Sequence, residues 1–126
     1  MSTPITTFPV FIVGSKWKVL IYDSATYAAI NGEDSKAVCD DKKKNLEFDI
    51  GELSKKIIRH ELTHAYIAEM SFYELQLEPE QHEEFTCELM GKFGERIVLQ
   101  AANIFNHAMK IKTPHKKDLV KVISPV

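Results

Sequence analysis

The sequence predicts an α+β fold, in which a small, mostly antiparallel sheet from the N-terminal half packs on two long helices. Two observations carry this prediction. Short β-rich runs separated by turn residues fill the first half of the chain, whereas helical spacing of apolar residues dominates after residue 50. The 126 residues fit one domain, and a hydrophobic fraction of 44% is enough for one core. We therefore predict a single domain over residues 1–126.

The first strands form a hairpin in this prediction. The run Phe8 to Val13 is apolar and β-rich, and Gly14-Ser15 interrupts it. Lys16 to Tyr22 then alternates, so that Trp17, Val19 and Ile21 share one face.

The next segment predicts a helical turn and a second hairpin. Tyr27 to Ile30 suits a short helical turn, and Asn31-Gly32 is a turn signal. Lys36 to Cys39 and Asn45 to Phe48 are the strands of the second hairpin, with a polar, lysine-rich tip between them.

The second half predicts two helices joined by a connection over Ser71 to Glu78. Asp49 and Glu52 have the spacing of a capping box, so the first helix is expected from about Ile50 to about Met70. Pro79 suits the first turn of the second helix, whose apolar stripe continues to about Met109. Gly91 and Gly94 are positions at which this helix can bend or divide, and Pro114 ends it. A basic tail follows from about residue 110, with five Lys and one Asp.

The first long helix carries the motif His-Glu-x-x-His, at His60, Glu61 and His64. Residues four apart share a helix face, so both imidazoles can reach one tetrahedral Zn²⁺. Glu61 is then placed to take a proton from a zinc-activated water. The motif predicts a zinc-dependent hydrolase, most simply a metallopeptidase that acts on a peptide or protein substrate. The alternative without a metal is that the two histidines lie on a partly exposed helix and pair with carboxylates.

A catalytic zinc usually has three protein ligands, so a third is expected from the second helix. We favour Glu84, because Glu88 lies one turn further on the same face. Glu88 can then accept a hydrogen bond from a ligating histidine and orient its ring without binding the metal itself. Glu83 suits the helix dipole better than a metal. His82 and Cys87 are further candidates. The residue that stabilises the oxyanion is not assigned, although Tyr66, Tyr73 and His107 have suitable side chains.

The stretch from about Leu46 to Phe105 resembles a known family. HELTH at residues 60–64, followed by a helix with Glu84 and Glu88, is similar to the gluzincin arrangement of zinc peptidases. It also resembles the minimal zincins of the ImmA/IrrE type and those encoded by phages and other mobile elements. The resemblance implies a zincin-like fold, zinc, and a third ligand about twenty residues after the second histidine, which is the step from His64 to Glu84. The family usually has Glu-Ala-Asn at that ligand, whereas Phe85-Thr86 follow Glu84 here, so Glu83 and Glu88 stay open.

Charge and cysteine content limit the other functions. A net charge of −2 gives no positive electrostatic field that would attract nucleic acid. A module that binds nucleic acid through Lys110 to Lys121 is therefore the least favoured hypothesis. The second alternative is a non-catalytic, zinc-stabilised protein of phage or mobile-element origin that binds a host or repressor protein. Cys39 and Cys87 form no disulfide framework, and no signal peptide or membrane span is recognised. We therefore expect a cytoplasmic protein.

Overall fold

The computed structural model describes residues 3–70 and 78–112, which form an α+β fold. This confirms the predicted fold class. The chain runs through β1 (Thr6–Ile12), β2 (Ser15–Tyr22), α1 (Ser24–Asn31), β3 (Ala37–Asp40), β4 (Asn45–Asp49), a 3₁₀ turn (Ile50–Glu52), α2 (Lys55–Glu69) and α3 (Pro79–Lys112). Most of the predicted connection before Glu78 and most of the basic tail lie outside the described residues.

The four strands form one sheet in the order β1-β2-β4-β3. Both predicted hairpins are present, because β1 pairs antiparallel with β2 and β3 pairs antiparallel with β4. The two hairpins join through a parallel pairing of β2 with β4, in which Val19 lies opposite Leu46. Among the described strands, β1 and β3 are therefore the edges of the sheet.

The turn between β1 and β2 consists of Val13 and Gly14, with φ angles of 48° and 81°. Two successive residues with positive φ match the tight hairpin turn whose twist suits antiparallel strands. Glycine adopts this conformation freely, but a β-branched residue does so at a cost. The strand therefore ends at Ile12, one residue earlier than predicted.

One face of the sheet forms the core with α2 and α3. Trp17, Val19 and Ile21 are fully buried, as their alternation predicted. Leu46 and Phe48 of β4 point to the same face and are also fully buried. On the opposite face, Asn31 of α1 donates a hydrogen bond to Glu47 at 3.1 Å, which ties that short helix to the sheet.

The helix α2 begins at Lys55, later than the predicted capping box implied. Asp49 instead accepts a hydrogen bond from the Gly51 amide at 2.9 Å and caps the separate 3₁₀ turn. Leu53 and Ser54 are then extended, which breaks the helical path. Ser54 accepts a hydrogen bond from the Ile57 amide at 3.1 Å and is the N-cap of α2.

The helix α3 runs unbroken for 34 residues, so neither Gly91 nor Gly94 divides it. It packs antiparallel to α2. Lys55 lies 5.6 Å from the ring centroid of Phe105, whereas Tyr66, eleven residues later, stacks on Phe93 with ring centroids 5.1 Å apart. None of the described helices is both long enough and apolar enough to span a membrane.

Glu69, at the end of α2, connects this helix to the first hairpin. Its carboxylate accepts hydrogen bonds from Trp17 Nε1 at 2.7 Å and from Ser15 Oγ at 2.9 Å, and Lys44 Nζ lies 3.0 Å away. Partial burial raises the pKa of this carboxyl, but the three donors and the charge of Lys44 outweigh it, so the pKa lies below its ordinary value.

We expect Glu69→Gln to lower the free energy of unfolding by about 1–3 kcal/mol at neutral pH, because an amide cannot replace three acceptor contacts to a carboxylate. Because the folded pKa is lowered, this stabilisation is present above pH 4.5, the ordinary value, and is lost as the pH falls below it. Denaturant titrations of both proteins at several pH values measure the difference, which should shrink on acidification.

The matched control is Glu52→Gln, because Glu52 meets Lys36 only at 4.0 Å and its side chain is 52% exposed. That change should alter stability by less than about 0.5 kcal/mol. Equal losses for the two variants would contradict the role assigned to Glu69.

Candidate metal centre

The three motif residues lie on α2, away from the side that enters the core. Ile58, Leu62, Ala65 and Tyr66 form the fully buried stripe of this helix. His60 is exposed, and Glu61 and His64 are half-buried. The core thus holds the helix by one face and leaves the motif open to solvent and to a ligand.

The two histidines lie side by side, as their spacing predicted. Their Nε2 atoms are 3.2 Å apart, and their ring centroids are 4.7 Å apart with nearly perpendicular planes. Two nitrogen ligands of a tetrahedral zinc are about 3.3 Å apart. The separation of the two Nε2 atoms therefore matches that of two ligands of such a site, and it also lies within hydrogen-bonding distance.

Two cavities meet at this pair. One, of about 540 Å³, lies between α2 and β3, and Glu61 and His64 line it together with Cys39 and Asp41. The other, of about 750 Å³, lies between α2 and α3 and is lined by both histidines. His64 thus borders both cavities, while Glu61 faces β3.

Glu61 has the electrostatics of a base. Burial raises the pKa of its carboxyl above the ordinary value, and the neighbouring His60 and His64 oppose that rise. A carboxylate with a raised pKa holds a transferred proton better than a fully solvated one. The position and the protonation behaviour of Glu61 are both suited to proton transfer beside the histidine pair.

Cys39 belongs to the same cavity, which the sequence did not indicate. Burial raises the pKa of its thiol to about 12, with smaller contributions from the charges of Glu61, Asp41 and Asp40. The thiol is therefore protonated at neutral pH and is a poor nucleophile. Only the pairing of β3 in the sheet brings Cys39 to α2, and no local motif records that pairing.

The structure does not bring Glu84 to the histidine pair. Residues of α3 that line the cavity between α2 and α3 begin at Met90, which lies six residues, or about 9 Å along the helix, after Glu84. No three His, Cys, Asp or Glu side chains within residues 3–70 and 78–112 are placed to hold one metal ion. Glu84 therefore stays a prediction. The alternatives Glu83, Glu88, His82 and Cys87 are likewise exposed on the first turns of α3.

Of the three side chains considered for stabilising the oxyanion, the two that the structure describes do not lie together at the motif. Tyr66 is buried and donates a hydrogen bond to Gln100 at 2.6 Å. His107 stacks on Phe8, with ring centroids 4.3 Å apart, where α3 meets β1. Tyr73 lies outside the described residues.

Comparison with known proteins adds no relative. No family model, no curated protein and no solved structure matches the chain. The resemblance of HELTH and the following helix to gluzincins therefore remains a prediction from the sequence.

Proposed function

We propose that the protein is a zinc-dependent hydrolase, and specifically a small metallopeptidase. His60 and His64 would hold the zinc. The observation that carries the proposal is the 3.2 Å separation of their Nε2 atoms, with the half-buried carboxylate of Glu61 next to His60 in the chain. When bound, zinc would supply Lewis acidity that polarises a carbonyl and makes an adjacent water more acidic.

Glu61 would act as the general base and then as the general acid. Its half-buried carboxylate can take the proton of the attacking water. It can then return the proton to the leaving amine.

A peptide substrate is supported by the position of β3. This strand is an edge of the described sheet, and Ala37, Val38 and Cys39 line the same cavity as Glu61 and His64. An unpaired strand edge binds extended peptides through main-chain hydrogen bonds. A peptide paired there would lie next to the proposed base. We also infer a cytoplasmic location, because Cys39 and Cys87 are both free.

One observation favours a second candidate, a non-catalytic zinc protein of phage or mobile-element origin. His60 is exposed, and the described residues supply only two ligands to the pair. A host or repressor protein could complete the coordination of a zinc held there. Hydrolysis, rather than zinc content, separates the two candidates.

We expect purified protein to contain about one zinc per chain, since the histidine pair forms one site. His60→Ala and His64→Ala should each lose most of it, whereas His107→Ala should retain it. Plasma spectrometry of dialysed proteins measures the content. Equal zinc content in His64→Ala and in the wild type would contradict the proposed metal site.

We expect Glu61→Gln to retain zinc but to lose hydrolysis of a quenched fluorescent peptide library by about 100- to 10,000-fold, because an amide cannot accept the proton. The matched control is Glu52→Gln, which should cleave at the wild-type rate. If Glu61→Gln loses zinc as completely as His60→Ala does, Glu61 is a ligand and its assignment as base is wrong.

For the third ligand we expect Glu84→Ala to bind zinc most weakly and Glu88→Ala to be intermediate, about 10- to 100-fold weaker than wild type. Competition with a chelator during zinc titration of the metal-free proteins measures the order. Wild-type affinity in Glu84→Ala would show that Glu84 is not a zinc ligand. The third position would then belong to water or to another residue.

A further inference from the structure

The cleft between α2 and α3, which His60 and His64 border, combines apolar and cationic side chains in its lining. Its floor on α3 comes from Met90, Gly94, Ile97 and Val98, which share one helix face. Met90 and Val98 are 46% and 51% exposed, so both large apolar side chains are accessible to a ligand in this cleft. Gly94 lies between them, and a Cβ at this position would approach Met90 Cε to 3.3 Å, so the side chain of Met90 lies over the glycine.

The rim of this cleft is cationic. Lys36, Lys56 and Arg59 line it, and none of the described residues that line it is Asp or Glu. Lys56 lies one turn before His60 on the same face of α2. Neither Lys56 nor Arg59 takes part in an ion pair among the described residues, whereas Lys36 reaches Glu52 at 4.0 Å.

Helix stability does not explain these cations. Lys55 and Lys56 occupy the first turn of α2, which contains no acidic residue. A helix N-terminus favours anions, so lysines there add to the positive end of the dipole. The chain as a whole has a net charge of −2, which makes this concentration of positive charge local.

We propose that this cleft binds a peptide segment in which a large apolar side chain is flanked by carboxylates. The apolar side chain would lie against Met90 and Val98, and the carboxylates would face Lys56 and Arg59. This inference rests on the proposed function in one respect, which is that the bound peptide is taken to be the substrate of the hydrolase. The substrate would then be an acidic peptide that contains a large apolar side chain.

Binding tests the inference separately from hydrolysis. Fluorescein-labelled Gly-Glu-Phe-Glu-Gly-Gly is titrated against Glu61→Gln protein, with and without added zinc, by fluorescence anisotropy. Two matched peptides replace either both Glu by Lys or the Phe by Ala. We expect the Glu-Phe-Glu peptide to bind at least about tenfold more tightly than either, from one buried aromatic side chain and two charge pairs. The preference for Glu over Lys should weaken with salt.

Charge reversal then locates the site. In a Glu61→Gln background, Lys56→Glu with Arg59→Glu should reverse the preference, so that the Lys peptide binds more tightly than the Glu peptide. The control, Lys42→Glu with Lys43→Glu at the tip between β3 and β4, has the same net charge and should bind like the parent. Equal binding of the three peptides, or a Glu preference that survives the reversal at Lys56 and Arg59, would overturn the inference. Tight binding without cleavage by the Glu61-containing enzyme would instead refute the hydrolase and leave this binding surface in place.

Discussion

The rotation of α2 about its own axis is the constraint on which the candidate site depends. Two contacts fix it. The buried stripe through Ile58 and Leu62 holds one face against the sheet, and Glu69 holds the end of the helix to Trp17 and Ser15 of the first hairpin. A helix turns about 100° per residue, so moving this stripe by one position would carry His60 and Glu61 out of their cavities. Core packing and the Glu69 contacts therefore position the motif.

This fixed orientation gives the two sides of the motif different chemistry. On the side of β3, Glu61 and Asp41 line the cavity and one strand edge is unpaired among the described strands. On the side of α3, Lys56 and Arg59 border an apolar floor. His64 lies at the boundary between them. A peptide that crosses this boundary would meet main-chain hydrogen-bonding groups of β3 on one side and charged and apolar side chains on the other.

Local patterns in the sequence predicted the parts of the structure that depend on local geometry. The alternation of Trp17, Val19 and Ile21 set the buried face of β2, and the four-residue step from His60 to His64 set the imidazole pair. The start of α2 was missed, because Asp49 caps a separate 3₁₀ turn and the extended residues Leu53 and Ser54 interrupt the helix before Ser54 caps α2. Cys39 and Arg59 were missed as lining residues because strand order and helix pairing bring them there, and neither leaves a short-range signal.

The third ligand shows where spacing along the chain stops being informative. Twenty residues separate His64 from Glu84, but their distance in space depends on how far α3 is shifted along α2. Here the contact of Tyr66 with Phe93, and its hydrogen bond to Gln100, set that shift. In this register the α3 residues that line a cavity with the histidines run from Met90 to Val98 and do not include Glu84. A shift that carried Glu84 to the pair would break the Tyr66–Gln100 hydrogen bond and move Phe93 off its ring, so zinc binding through Glu84 would have to compensate for both. The contacts of Tyr66 with Phe93 and Gln100 therefore set how far Glu84 lies from the histidine pair in this arrangement of the helices, and Glu84 as the third ligand stays a prediction.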